Sequence, residues 1–234
     1  MSGHRRKLGS LFLFDHRRHA GVVLAGVLEP EAGDDAVVVG LACGGIVVAA
    51  AVARALGLPL EIVAVRKLSH PLQPEYALGA VAPGGQAYVR ARNGLTDHQL
   101  AAAVAAAHAE ADALDRKLRD GRPRASLAGR TVILVDDGLA TGATMIAAAR
   151  WATGRGASRV VAAAPVGARE TVDLLRSEAD EVVCPYPVVS LVAVGLWYAD
   201  FAQVSVEDAA ELYREDGVTA SLREEVRPPA GSTR

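Results

Sequence analysis

Residues 132–144 read VILVDDGLATGAT. Val132, Ile133, Leu134 and Val135 form an uninterrupted aliphatic run, as in a strand buried on both faces. Paired carboxylates, Asp136 and Asp137, end the run, and Thr141-Gly142-Ala143-Thr144 then opens a helix expected over 143–153. Strand, glycine-bearing loop and helix N-terminus in that order make an anion cradle. Gly138 and Gly142 let the backbone approach a phosphate closely, and successive N–H groups along Leu139 and Ala140 can turn inward. The start of the helix at Ala143 adds partial positive charge. The Thr141 and Thr144 hydroxyls add donors. Asp136 and Asp137 would repel a phosphate, so they are expected to accept hydrogen bonds from ribose hydroxyls or to face a magnesium shell. A Thr-capped helix after a strand would explain one cap, but not two acids, two glycines and two threonines together. Neither GxxxxGK[ST] nor a GxGxxG after a strand occurs, which argues against ordinary P-loop enzymes and dinucleotide oxidoreductases.

The same alternation repeats on both sides of this stretch. A helix is expected over 16–28, a buried strand over 36–39, a loop at Leu41-Ala42-Cys43-Gly44-Gly45 and a helix over 46–56 that is apolar on nearly every face. Strands are expected at 60–65, 159–164 and 181–184, with a helix over 168–176. Thr96-x-x-Gln99 is a capping box for a long helix with Leu100, Val104, Ala107, Ala111, Leu114 and Leu118 on one stripe. Asp112–Arg116 and Asp115–Arg119 are expected as ion pairs on its wet side. Residues 66–94, rich in Pro and Gly, read as a long irregular segment with one hairpin near Pro83-Gly84-Gly85; such loops often serve as lids. The fold class is therefore α/β, a parallel sheet flanked by helices. One domain is expected over 1–222, and a disordered tail over 223–234.

With 234 residues, 51% of them hydrophobic, the chain can bury one core, and 4% aromatics means that small and β-branched side chains must build it. A net charge of −2 supplies no overall attraction to nucleic acid, so any anion must be held locally. Cys43 and Cys184, 141 positions apart, make neither a disulfide framework nor a metal cluster, and a cytoplasmic location is the expectation. The basic start, His4 to Lys7 before an apolar run to Phe14, faintly resembles a signal peptide, but Asp15 ends the run too early. The uncharged stretch 36–53 approaches spanning length; Gly40, Gly44 and Gly45 divide it into strand, loop and helix instead. No membrane association is expected. The sequence admits a homodimer without specifying one.

VILVDDGLATGAT resembles the phosphoribosylpyrophosphate-binding motif of type I phosphoribosyltransferases. The likeness extends over most of the chain: Gly44-Gly45 stands where that family has its pyrophosphate loop, Arg66 to Gly79 where it has a flexible lid, and 185–204 where a C-terminal hood covers the acceptor. A bacterial group within the family is similar through Phe14-x-x-Arg17, Arg66-Lys67-Leu68, Pro74-Glu75-x-Ala77-x-Gly79-Ala80 and Val194-Gly195-x-Trp197-Tyr198-x-Asp200-Phe201. The resemblance implies binding of 5-phosphoribosyl-1-pyrophosphate and Mg2+, transfer of the phosphoribosyl group to a base or other small nucleophile, and release of pyrophosphate. It implies ligand contacts from Gly138, Leu139, Ala140, Thr141, Gly142, Ala143 and Thr144, and pyrophosphate contacts from the amides of Cys43, Gly44 and Gly45. Arg66 and Lys67 are the cations nearest the expected pyrophosphate. Glu75 is a candidate general base or lid anchor, with a surface carboxylate as the alternative. Trp197 either stacks on the acceptor ring or packs in the core.

Two positions depart from relatives in that family. Several members carry Lys or Arg before the paired glycines, where this chain has Cys43, so a charge-assisted contact to the leaving group is missing. Ala140 stands where hypoxanthine-guanine enzymes carry an aspartate that handles the purine N7 proton. These departures keep open an alternative, a non-catalytic sensor of phosphoribosylpyrophosphate or a nucleotide, and a third, an interaction module that binds a nucleotide for stability.

Overall fold

The computed structural model describes residues 12–215, apart from the side chains of Pro74 and Glu75. The expected tail at 223–234 and the basic start at 4–7 lie outside the described residues. Five parallel strands form the central sheet in the order β2 (Leu60–Val63), β1 (Val37–Leu41), β6 (Thr131–Val135), β7 (Arg159–Ala163) and β9 (Glu181–Val183). The sheet is a parallel α/β sheet with helices on both faces, as the alternating pattern predicts.

Side-chain alternation along the strands sorts the core into two halves. Val38, Ile133 and Val161 point toward α1 (Arg17–Leu28), α2 (Gly44–Leu56) and a helix over 206–215. Val39, Val132, Leu134, Val160 and Ala162 point the other way, toward α4 (Ala143–Gly154) and α5 (Arg169–Leu175). The small residues anticipated from composition permit close helix packing: a Cβ added at Gly21 of α1 would sit 2.6 Å from the Ala51 methyl of α2. The 36–53 stretch is β1 followed by α2, and no described helix is long and apolar enough to cross a membrane.

Three expectations need correction. Residues 66–94 are not irregular: β3 (Arg66–His70), β4 (Gln73–Val81) and β5 (Tyr88–Val89) form an antiparallel sheet, with the expected Pro83-Gly84-Gly85 turn between β4 and β5. Register shifts around Ser69 break the period-2 pattern that would have marked β3. Leu68, Leu78 and Val81 of this sheet are buried against Leu100, Ala107 and Ala111 of α3 (Asp97–Arg119). The Thr96/Gln99 capping box is present at the α3 start. Second, Asp115 and Arg119 of α3 are not on a wet face but buried, because Glu61 of β2 faces them. Third, two short strands, β8 (Val166–Ala168) and β10 (Tyr186–Val188), pair in parallel where neither was expected.

The segment after β10 folds back on the chain's start. Phe14 bridges Tyr198, the Ala199 and Asp200 amides donate to the Phe14 and Asp15 carbonyls at 2.8 Å, and Phe14, Tyr186, Tyr198 and Phe201 form an aromatic cluster.

Candidate active site

Strand order locates the site. From β1 the chain crosses by α2 to β2 on one side; from β6 it crosses by α4 to β7 on the other. β1 and β6 are neighbours, so their carboxyl ends open at the point where winding direction reverses, the usual ligand crevice of such sheets. The Cys43-Gly44-Gly45 and Asp136 to Gly142 segments both emerge there.

The two segments touch, and the touching explains the paired glycines. A Cβ on Gly45 would stand 2.9 Å from Asp136 Oδ1 and 2.8 Å from the Val135 carbonyl; one on Gly44 would overlap the Asp137 carboxylate. Gly44 and Gly45 form the first turn of α2, two residues earlier than the helix was expected, with Cys43 as N-cap and no side-chain cap. The Ala42–Cys43 peptide is cis. α4 likewise lacks a side-chain cap: Gly142, at φ 76°, is its N-cap, and neither threonine caps it. The first amides of both helices therefore have no partner within their helices and point toward the same crevice end of the sheet.

The loop residues do not all present themselves equally. Ala140 and Thr141 are exposed, Gly138 and Thr144 half-buried, and the Ala143 side chain buried. Leu139 departs from the expected open cradle: its amide donates to the Val166 carbonyl at 2.9 Å, its carbonyl accepts from the Ala168 amide at 2.8 Å, and its side chain is buried. It anchors the loop to β8 and has no amide left for a ligand. Ala140 offers its carbonyl to the Thr171 hydroxyl at 2.6 Å, which pins the loop from α5.

The acid pair is asymmetric. Asp137 Oδ2 accepts from Arg17 Nε at 2.8 Å and its carbonyl accepts from the Tyr198 hydroxyl at 2.6 Å. Asp136 Oδ1 accepts the Asp137 amide at 2.9 Å, and among the described residues nothing donates to its Oδ2. Burial, reinforced by the Asp137 charge, holds the Asp136 carboxyl well above the usual carboxylate range, while Arg17 and Lys67 oppose the shift. Burial also raises Asp137, against the hydrogen bond and charge of Arg17. Burial likewise raises the Tyr198 phenol, which stays a donor at neutral pH.

Arg66 and Lys67 are exposed at the start of β3; Arg66 lies 3.6 Å from Glu110 and its charge reaches Cys43. Burial pushes the Cys43 thiol up, so it is neutral near pH 7. Glu75 lies on β4, and its side chain is outside the described residues. Trp197 is half-buried against the Phe14 and Tyr198 cluster. Arg17 and Thr171 were not singled out as site residues by sequence reasoning. Arg17 was visible only inside the Phe14-x-x-Arg17 likeness, since nothing local says that a first-turn arginine meets a carboxylate 120 positions away.

Fold and site together define a doubly wound parallel α/β protein with two glycine-bearing loops and an acid pair at the switch point. The phosphoribosyl transferase domain model matches residues 25–196, and the chain belongs to that family. Two Mycobacterium tuberculosis relatives named as phosphoribosyl transferases, from strains CDC 1551 and H37Rv, are each 40% identical over 207 residues. The match covers 84% of this chain and 45% of each relative, so the chain spans about half the length of the curated relatives it matches. The crystal structure of TT1426 from Thermus thermophilus is similar at 41% identity and a TM-score of 0.75, covering 87% of this chain and 98% of that one.

Proposed function

We propose that the protein binds 5-phosphoribosyl-1-pyrophosphate with magnesium and transfers the phosphoribosyl group to a small nucleophile, releasing pyrophosphate. The observation that carries this reading is the meeting of two uncapped helix starts, at Gly44 and Gly142, with the Asp136–Asp137 pair at the carboxyl ends of β1 and β6. The 5-phosphate would lie on the first amides of α4 with the Thr141 and Thr144 hydroxyls. Ribose hydroxyls would donate to the acid pair, and the pyrophosphate would lie toward the Cys43 to Gly45 amides, with Arg66 and Lys67 on the strand above. The C1–O bond to pyrophosphate breaks as the nucleophile bonds to C1 through a cation-like transition state, which the flanking carboxylates stabilise electrostatically. Among the described residues no three His, Cys, Asp or Glu side chains cluster, so magnesium would draw most of its ligands from water, ribose and pyrophosphate. Bound there, it supplies charge neutralisation for the leaving group. Closure of the β3–β4 turn, the outer part of the 66–94 segment, would exclude water, with Glu75 as candidate base and Trp197 as candidate stacking partner for the acceptor.

Cys43 favours a second reading. A neutral thiol in place of a cation next to the expected leaving group supports binding without turnover, as in a sensor. Pyrophosphate release measured over a panel of bases separates the two: release with one acceptor establishes the transferase, and tight binding with none establishes the sensor. The binding claim itself is tested by Asp136→Asn with Asp137→Asn, which is expected to weaken magnesium phosphoribosylpyrophosphate binding by at least about 2 kcal/mol in calorimetry. Unchanged affinity in the folded double variant removes the central claim.

A further inference from the structure

Asp136 and Asp137 are chain neighbours in different surroundings. Arg17, only 9% exposed in the first turn of α1, donates Nε to Asp137 Oδ2 at 2.8 Å and Nη1 to the Ala202 carbonyl at 2.7 Å. Its guanidinium lies 3.6 Å from the Phe201 ring centroid. Tyr198 takes the Asp137 carbonyl from the same segment. α2 closes the remaining side, since a Cβ on Gly44 would stand 3.2 Å from Arg17 Nε. Asp137 is thus gripped by α1, α2 and residues 198–202, whereas Asp136 keeps Oδ2 free of any described donor. Arg17, Tyr198, Phe201 and Ala202 all lie outside the 25–196 span that the family model matches.

We propose that Arg17 is a positioning residue: it commits Asp137 to the scaffold, ties the acid pair to both α1 and the 198–202 segment, and leaves Asp136 as the carboxylate that meets the ligand. The inference deepens the phosphoribosylpyrophosphate reading and rests on it for the identity of that ligand. The planar guanidinium is suited to the task, because it donates in two directions in its plane while its face rests on an aromatic ring. An ammonium can replace the charge but not both donors and the stacking together. The pair is nearly buried, so removing one partner strands the other.

The test has a ligand-free arm and a loaded arm. In the ligand-free protein, hydrogen exchange of amides 198–203 is compared in wild type, Arg17→Met, Asp137→Asn and the double variant. Arg17→Met should speed exchange on the order of tenfold, Asp137→Asn, which keeps a weaker neutral acceptor for Arg17, should speed it by less, and the double should exceed Arg17→Met little, as expected of two groups acting through one contact. Wild-type exchange in the singles, or fully additive effects, overturns the clamp. In the loaded arm, calorimetry with phosphoribosylpyrophosphate and Mg2+ should show Asp136→Asn losing on the order of 30-fold in affinity. Asp137→Asn, still able to accept from Arg17, should lose less than about fivefold. Arg17→Met should lose on the order of tenfold and Arg17→Lys should recover at least half of that loss on a logarithmic scale. Equal losses in the two aspartate variants overturn the division of labour, and Arg17→Lys no better than Arg17→Met reduces Arg17 to packing. If Arg17→Met fails to fold, Asp137→Asn and Arg17→Lys carry both comparisons. A wild-type protein that binds no phosphoribosylpyrophosphate sinks the functional reading and leaves the exchange arm to decide the clamp.

Discussion

Asp136 keeps a carboxylate where burial and the Asp137 charge both disfavour ionisation. The unfolded chain releases this proton near the ordinary aspartate value, whereas the folded chain holds it to higher pH. Folding therefore gains from the protonated acid, and that gain is lost as pH climbs from the unfolded value through the raised folded one. Asp136→Asn removes the cost while its amide oxygen can still accept the Asp137 amide. Thermal scans of the ligand-free protein at pH 8 should show the variant melting higher, by about 2–4 °C for each kcal/mol relieved, with a smaller difference at pH 5. An equal or lower melting temperature at pH 8 would mean that the acid is not under strain. At the next exposed position, Ala140 presents only a methyl group, and its carbonyl is taken by Thr171. A proton on a purine N7 finds no acceptor in that side chain, and lost acid–base assistance typically costs 10²–10⁴-fold. Transfer to hypoxanthine or guanine should be absent or very slow at saturating phosphoribosylpyrophosphate; steady turnover near ~10 s⁻¹ would show that Ala140 excludes nothing.

Among the elements, the β3–β4–β5 sheet changes what a closing lid can be. Its base is fastened to α3 through Leu68, Leu78 and Val81, whereas Leu72 and Tyr76 near the β3–β4 turn are exposed. Local opening follows exposed hydrogen bonds and sparse apolar contact, so the turn is the mobile part. Hydrogen exchange on adding phosphoribosylpyrophosphate and Mg2+ should slow at residues 69–77 and change little at 78–82. Uniform slowing over 66–94 would show instead that the sheet moves as one body. This element was the least legible in the sequence, because Pro74 and the register shifts at Ser69 hide the alternation and α3 supplies the burial. β1, α2, β6 and α4 were legible because their signals are local: aliphatic runs, punctuating glycines and a helix start.

At the scale of the whole molecule, a buried ionic network joins the helix over 206–215 to α3 and the sheet edge. Arg119 pairs with Glu61 and Asp115 and donates to the Ile62 carbonyl at 2.8 Å; Tyr213 donates to Glu61 Oε1 at 2.8 Å, and the Ala125 amide to Glu61 Oε2 at 2.8 Å. Arg119→Met leaves the buried Glu61 without its cation, while Asp115 keeps Arg124, and should cost about 3–5 kcal/mol in urea unfolding, and Tyr213→Phe about 1. A loss under ~1 kcal/mol for Arg119→Met would show that water reaches the network. Burial pushes the Tyr213 phenol up to about 12. Its contribution is complete below the ordinary tyrosine value and is lost as pH rises through 12.

By itself the sequence determined the strand, loop and helix units, the parallel α/β class and the place of the acid pair between strand and helix, since aliphatic runs, glycines and the adjacent acids act over a few residues. Only the tertiary structure decided that Leu139 is an anchor, that Asp115 and Arg119 face inward and that Asp137 belongs to Arg17. Each of those outcomes depends on a partner brought near by folding, Val166 and Ala168 for the first, Glu61 for the second, and a guanidinium 120 positions away for the third. Side-chain type states what a residue can bond; the packing of distant elements selects which bond it makes.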